Sequence, residues 1–144
     1  MKLLIRNTEL RDSEAIAQLS NQLGYKSEKG IIEKRLNNIL SNKNNYVLVA
    51  LENEKIVGWV HGFYSLRVES DPFIEIGGLV VNENYRKKGI GKILVDKIIK
   101  RPDFKECKKV RVRCNTVREE SHIFYQKIGF KINKEQKVFD KLLR

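Results

Sequence analysis

Apolar positions recur along the chain with two different periods, and the switches between them predict the order of elements. Residues 3–7 read as a short strand. Asp12 or Ser13 can cap a helix in which Ala15, Ile16, Leu19 and Leu23 recur at helical spacing until Gly24 stops it. A second helix is expected from about Ser27, with Ile31, Ile32, Leu36, Ile39 and Leu40 as its buried stripe, before residues 42–45 break the pattern. Residues 46–51 and 55–64 predict a hairpin around a polar turn. After Asp71-Pro72, residues 73–81 are apolar and rich in β-formers. A turn at 82–85 then leads into a helix through Gly91, Ile93, Leu94, Ile98 and Ile99, closed by Arg101-Pro102-Asp103.

Val110, Val112 and Cys114 alternate with Arg111, Arg113 and Asn115, which gives a fifth strand with one apolar and one polar face. Residues 119–127 predict a short helix ending at Gly129, and residues 130–132 and 136–139 predict two last strands. The order is β-α-α-β-β-β-α-β-α-β-β. It predicts an α/β fold with one mixed sheet of about seven strands flanked by about four helices, in a single domain over residues 1–144.

Composition narrows the function classes. The 144 residues are 41% hydrophobic and 33% charged, enough for one packed core without staples. The N-terminal apolar stretch is too short for a signal peptide and no run has the length of a membrane span, so a cytoplasmic location is expected. Cys107, Cys114, His61 and His122 have no metal-site spacing; no metal is expected, and the cysteines read as packing. The net charge of +11 attracts phosphate-bearing partners. Nucleic acid, an anionic membrane and a polyanionic cofactor all satisfy it.

Arg86-Lys87-Lys88-Gly89-Ile90-Gly91-Lys92 falls between a predicted strand and a predicted helix. Glycines let the backbone approach a ligand, and free N–H groups at a helix start form a concave donor set for phosphate oxygens. The spacing matches neither a Walker loop nor a dinucleotide fingerprint.

With that loop on view, the chain resembles the GNAT superfamily of acetyl-CoA-dependent N-acetyltransferases. The likeness rests on Ile76-Gly77-Gly78-Leu79-Val80-Val81 followed by Arg86-x-x-Gly89-x-Gly91, and on Phe124-Tyr125 followed by Gly129-Phe130. The resemblance implies a splayed strand pair holding acetyl-CoA, with main-chain groups of Leu79, Val80 and Val81 pairing the pantetheine arm and an amide near Leu79 or Val80 facing the thioester oxygen. It puts the pyrophosphate on the loop of Arg86, Lys87, Lys88, Gly89, Ile90, Gly91 and Lys92. Tyr125 matches the family tyrosine that protonates the leaving thiolate. Glu75 matches the glutamate that serves as base in the histone-modifying branch, a role that water fills in other members.

The family often places Asn seven residues before its tyrosine; here Arg118 stands there, and Asn115 three residues earlier. Asn115 and Arg118 are carried as cofactor-binding candidates, with Arg118 reaching phosphates or capping its helix. The expected reaction transfers acetyl from acetyl-CoA to a primary amine of a small molecule, an amino acid or a peptide N-terminus, in a ternary complex. The alternatives are a catalytically silent coenzyme A-binding protein and a basic nucleic-acid-binding module whose bases stack on Tyr25, Tyr46, Trp59, Phe63 and Tyr64. If the Arg111/Arg113 strand face borders the acceptor cleft, a substrate carrying a carboxylate is favoured; otherwise that face is simply solvated. Neither the acceptor nor the oligomeric state is written in the sequence, and a homodimer is among the options.

Overall fold

A computed structural model describes residues 2–24 and 26–144. Tyr25 lies outside the described residues. The chain divides into two compact units, residues up to Val112 and residues 113–144.

The first unit is built on a five-stranded sheet in the order β1 (Leu3–Asn7), β2 (Asn45–Glu52), β3 (Lys55–Ser65), β4 (Phe73–Val81) and β5 (Val110–Val112). All neighbours are antiparallel except β4 and β5, which run parallel, so the sheet is mixed as expected. Both faces bury apolar side chains. On one, α3 (Ile90–Ile99) lays Ile90, Leu94 and Ile98 against Leu48, Val60, Ile74 and Ile76. On the other, α1 (Ser13–Asn21) and α2 (Lys29–Leu40) lay Ile16, Ala17, Ile32 and Leu36 against Val47, Val49 and Leu51. Gly62 lets α3 come close, because a Cβ there would stand 2.6 Å from Ile98 Cγ1.

Helical spacing placed α1, α2 and α3 within a few residues, since each carries a stripe with a sheet face to cover. Arg6 ties β1 to the start of α1 through two guanidinium bonds to Asp12, of 2.8 and 2.9 Å. In the second unit, α4 (Glu119–Lys127) forms as predicted and Gly129 takes a φ of +105° behind it.

The strand count is corrected. Residues 130–139 hold no strand, so the described sheet has five strands and not about seven. Phe130 and Ile132 alternate as in a strand and Val138 and Phe139 are β-formers, yet Ile132, Val138 and Phe139 are all exposed. Alternation supplies one face; a strand also needs a partner ladder, which three or four residues cannot specify. The fifth strand is likewise shorter than its alternation, ending at Val112 and not at Cys114 or Asn115.

Candidate active site

The chemistry expected of β4 depends on how its nine residues are paired. Phe73 to Ile76 are flanked by β3 on one side and, through Ile74, Glu75 and Ile76, by Val110, Arg111 and Val112 of β5 on the other. That parallel ladder stops at Ile76. At the same point the β3 register slips: His61 pairs Gly78 and Gly62 pairs Ile76, which leaves Gly77 as the extra residue of a bulge. From Gly77 to Val81 the strand has β3 alone as a described partner, so every second residue turns its N–H and C=O toward an open edge. Leu79, Val80 and Val81 lie on that edge segment.

Two glycines open the sheet face there. A Cβ on Gly77 would stand 2.8 Å from His61 Nδ1, and one on Gly78 would stand 2.7 Å from the Trp59 ring, so both rings lie across β4 where other residues carry side chains. His61 Nε2 is 2.8 Å from Asn45 Oδ1, an acceptor, so Nε2 carries the proton and Nδ1 is the bare nitrogen. Burial pushes the imidazole below its ordinary range and keeps it neutral near pH 7. The Trp59 indole N–H is buried with no acceptor among the described residues. Neither Trp59 nor His61 belongs to a motif, and the sequence suggested Trp59 only as a base-stacking aromatic and gave His61 no metal or catalytic role; the paired glycines were the only signal of a crowded face.

Glu75 is buried at 8% exposure, with Arg67 Nη2 3.5 Å from Oε1. It shares its sheet face with Phe63, its register partner on β3.

Beyond Val81 the chain turns through Asn82, whose side-chain oxygen accepts from Asn84 N at 3.0 Å, and Gln22 at the end of α1 accepts from Glu83 N at 3.0 Å. Arg86 Nε reaches back to the Val81 carbonyl at 3.3 Å. Lys87 has φ +62° and Gly89, the N-cap of α3, has φ +83°, so the loop enters the helix by a left-handed step. No carbonyl among the described residues accepts from the N–H groups of residues 88–92, the loop end and first turn of α3. These donors and the helix dipole face the same way, which is the requirement for holding phosphate oxygens. Gly91 is buried in that first turn.

The loop's cations are partly committed. Lys88 lies over the Tyr85 ring at 5.3 Å and Lys92 pairs with Asp96 at 2.6 Å, so Lys92 offers its backbone and not its ammonium. Sequence reading placed a turn at residues 82–85 but gave Asn82 and Tyr85 no part in it, because a cap and an aromatic contact give no periodic signal.

In the second unit, Tyr125 packs edge-on against Phe124 and Phe130, with ring centroids 5.0 and 5.3 Å away. Burial, helped by the nearby Cys114 thiol, pushes its phenol well above the ordinary range. A phenol in that state keeps its proton, as an acid must. Asn115 Oδ1 accepts from Val117 N at 3.2 Å, and its carbonyl accepts from His122 Nε2 at 3.0 Å. Its side chain therefore shapes a turn, leaving the amide NH₂ for other work. Arg118 stands at the N-cap of α4 without a side-chain capping bond. Burial raises both the Cys107 and the Cys114 thiols, which fits packing more than reactivity.

Comparison with known proteins gives the family and the fold. Residues 11–130 match the Acetyltransferase (GNAT) family. An uncharacterized N-acetyltransferase of Chlorobaculum tepidum is 29% identical over 93 residues, which span 65% of this chain and 56% of that protein's length. Thus the match spans only about half of that relative. The aminoglycoside N-acetyltransferase AAC(6')-Iy in complex with CoA superposes with a TM-score of 0.86 at 17% identity, over 97% of this chain and 95% of that one. Glucosamine-6-phosphate N-acetyltransferase from Arabidopsis thaliana gives 0.81 at 22% identity, over the whole of both chains. At such identities the two structures speak for the fold. Among the described residues, no helix is long and apolar enough to cross a membrane, and no group of three or more His, Cys, Asp or Glu is placed to hold a metal ion.

Proposed function

The chain belongs to the GNAT family of acetyltransferases, and from that premise we propose that it transfers the acetyl group of acetyl-CoA to a primary amine by direct attack in a ternary complex. One observation carries the reading. The open edge of β4 from Gly77 to Val81 runs directly into a left-handed loop whose N–H groups are unclaimed, so one continuous stretch of backbone offers an added-strand partner and then an anion cradle.

In this reading the edge groups of Leu79, Val80 and Val81 pair with the pantetheine amides. The amides between Lys87 and Lys92 hold the pyrophosphate, with Arg86 bracing the loop, and Asn115 and Arg118 are further cofactor contacts. An amide near Leu79 or Val80 donates to the thioester oxygen as it gains negative charge. Glu75 takes the proton that the amine must lose, since an alkyl amine of pKa about 10.4 is neutral in on the order of one molecule in a thousand at pH 7. The neutral amine nitrogen then bonds to the carbonyl carbon, the C–S bond breaks, the departing sulfur takes the proton of Tyr125, and the nitrogen loses its second proton to solvent as the amide forms. The protons on Glu75 and Tyr125 re-equilibrate through solvent. The acceptor is a small molecule, an amino acid or a peptide N-terminus, and the site of action is the cytoplasm.

Calorimetric titration with acetyl-CoA, followed by thiol release in the presence of a panel of amines, tests the proposal. Binding with turnover is expected. Binding without turnover on any amine points to a silent coenzyme A-binding protein, and no binding at all removes the enzyme reading.

A further inference from the structure

Three cationic side chains converge on one buried ring at the start of β4. Phe73, 1% exposed, has the Arg67 guanidinium 5.5 Å from its ring centroid, the Lys109 ammonium at 4.7 Å and the Arg111 guanidinium at 4.8 Å. Arg67 arrives from the connection between β3 and β4, Lys109 from just before β5 and Arg111 from within it. The ring gathers all the charge centres to within about one Debye length of one another, so their repulsion is little screened. Aromatic faces attract cations, but one ring does not neutralise them.

The counter-charge is short. Glu75 faces this group as the register partner of Arg111 and lies 3.5 Å from Arg67. Asp71 and Glu106 border a cleft with Lys109, yet no ion pair joins either to it, and Arg111 has none with any described carboxylate. Cofactor phosphates do not account for the group. The phosphate loop follows the far end of β4, and a nine-residue strand is roughly 30 Å long. The cations instead flank Glu75, at the end of the strand away from the phosphate loop.

We infer that the amine acceptor carries an anionic group, a carboxylate or a phosphate, that is received by Arg111 and Arg67 with Lys109, while its amine lies toward the Gly77 bulge. This rests on the acetyltransferase reading and names the substrate class of that same site. Strand spacing puts the amine and the anion on the order of 10 Å apart, so the acceptor is extended, not compact. A polycationic acceptor is disfavoured twice, by these three cations and by the net charge of +11.

The test compares acceptors that differ in one charge: triglycine with triglycine amide, and glucosamine 6-phosphate with glucosamine, with spermidine as the polycation. The anionic member of at least one pair should have kcat/KM higher by on the order of tenfold or more, and spermidine should be poorest. The pair that shows the preference tells carboxylate from phosphate. In Arg111→Gln the preference should shrink through KM, the anionic acceptor losing more than its neutral counterpart, while Lys34→Gln on α2 removes the same charge elsewhere and leaves the preference intact.

A preference for neutral or polycationic acceptors, or one that survives both Arg111→Gln and Arg67→Gln, overturns the inference. If acetyl-CoA binds and no amine is acetylated, the enzyme reading fails separately. Calorimetry of glucosamine 6-phosphate and triglycine against protein saturated with coenzyme A then decides the anion site. Binding of either that weakens tenfold in Arg111→Gln supports the site, and no binding, or binding unchanged in the variant, rejects it.

Discussion

The two halves of β4 are continuous in sequence and opposite in character. Phe73 to Ile76 are all buried, and Ile74 to Ile76 are paired on both sides, whereas Gly77 is exposed and the residues from it to Val81 keep a single described partner. The first half is fixed by side chains: Ile74 and Ile76 pack under α3, and Glu75 and Phe73 fill the opposite face. In the second half Gly77 and Gly78 carry no side chain, and the backbone edge from Gly77 to Val81 is the part that the proposed function puts to use, although Val80 is still buried. A strand can thus serve as core along half its length and as a binding edge along the rest, provided that a bulge bends it and one neighbour ends in time.

The largest expected effect comes from closing the binding half at its outlet. Gly89→Val forces a β-branched residue to φ +83°, so acetyl-CoA affinity should fall on the order of a hundredfold, with a stability loss limited to about 1–2 kcal/mol of backbone strain because a Cβ there meets open space. Calorimetry against acetyl-CoA checks it. An unchanged Kd in a folded variant would remove the loop from the cofactor site.

Next in size is Tyr125→Phe, which asks whether an open edge is enough without a proton donor. Turnover should drop about tenfold to a hundredfold with acetyl-CoA affinity unchanged. The raised phenol pKa also fixes a pH signature: the folded state resists ionising, so the parent loses stability as pH rises past about 10, the ordinary phenol value. Tyr125→Phe should lose less over the same range, as read from melting temperatures at pH 8 to 11. Equal losses in both proteins would mean that the phenol is not buried.

A third pair sharpens the contrast directly. Gly62→Ala presses on Ile98 in the core and should cost about 1–3 kcal/mol in denaturant unfolding. Gly77→Ala presses on the His61 and Phe63 rings and should lower turnover severalfold for a smaller loss of stability. If the two variants lose stability and turnover in the same proportion, the halves of β4 are not functionally distinct.

The smallest effect belongs to His61. Its folded pKa is depressed by burial, so its contribution to stability is present above about 6.5 and is lost as pH falls below that value. His61→Gln should therefore flatten part of the stability loss between pH 7 and 5, by about 1 kcal/mol or less. Parallel curves for the two proteins would show that His61 is solvated.

Local sequence determined more of the proposed cofactor half than of the proposed acceptor half. The strand at residues 73–81, the left-handed entry at Gly89 and helices α3 and α4 follow from periodicity and glycine placement, because each depends on residues a few positions apart. Tertiary structure alone decided the rest. The bulge at Gly77 exists only against the β3 register, β5 stops at Val112 although its alternation continues, and residues 130–139 hold no strand despite the right pattern. Arg67, Lys109 and Arg111 are up to 44 positions apart and meet only because β4 and β5 run parallel with a loop folded over Phe73. Pairing and convergence are fixed by the free energy of distant contacts, and a chain read in order carries that information only in the residues themselves, not in their spacing.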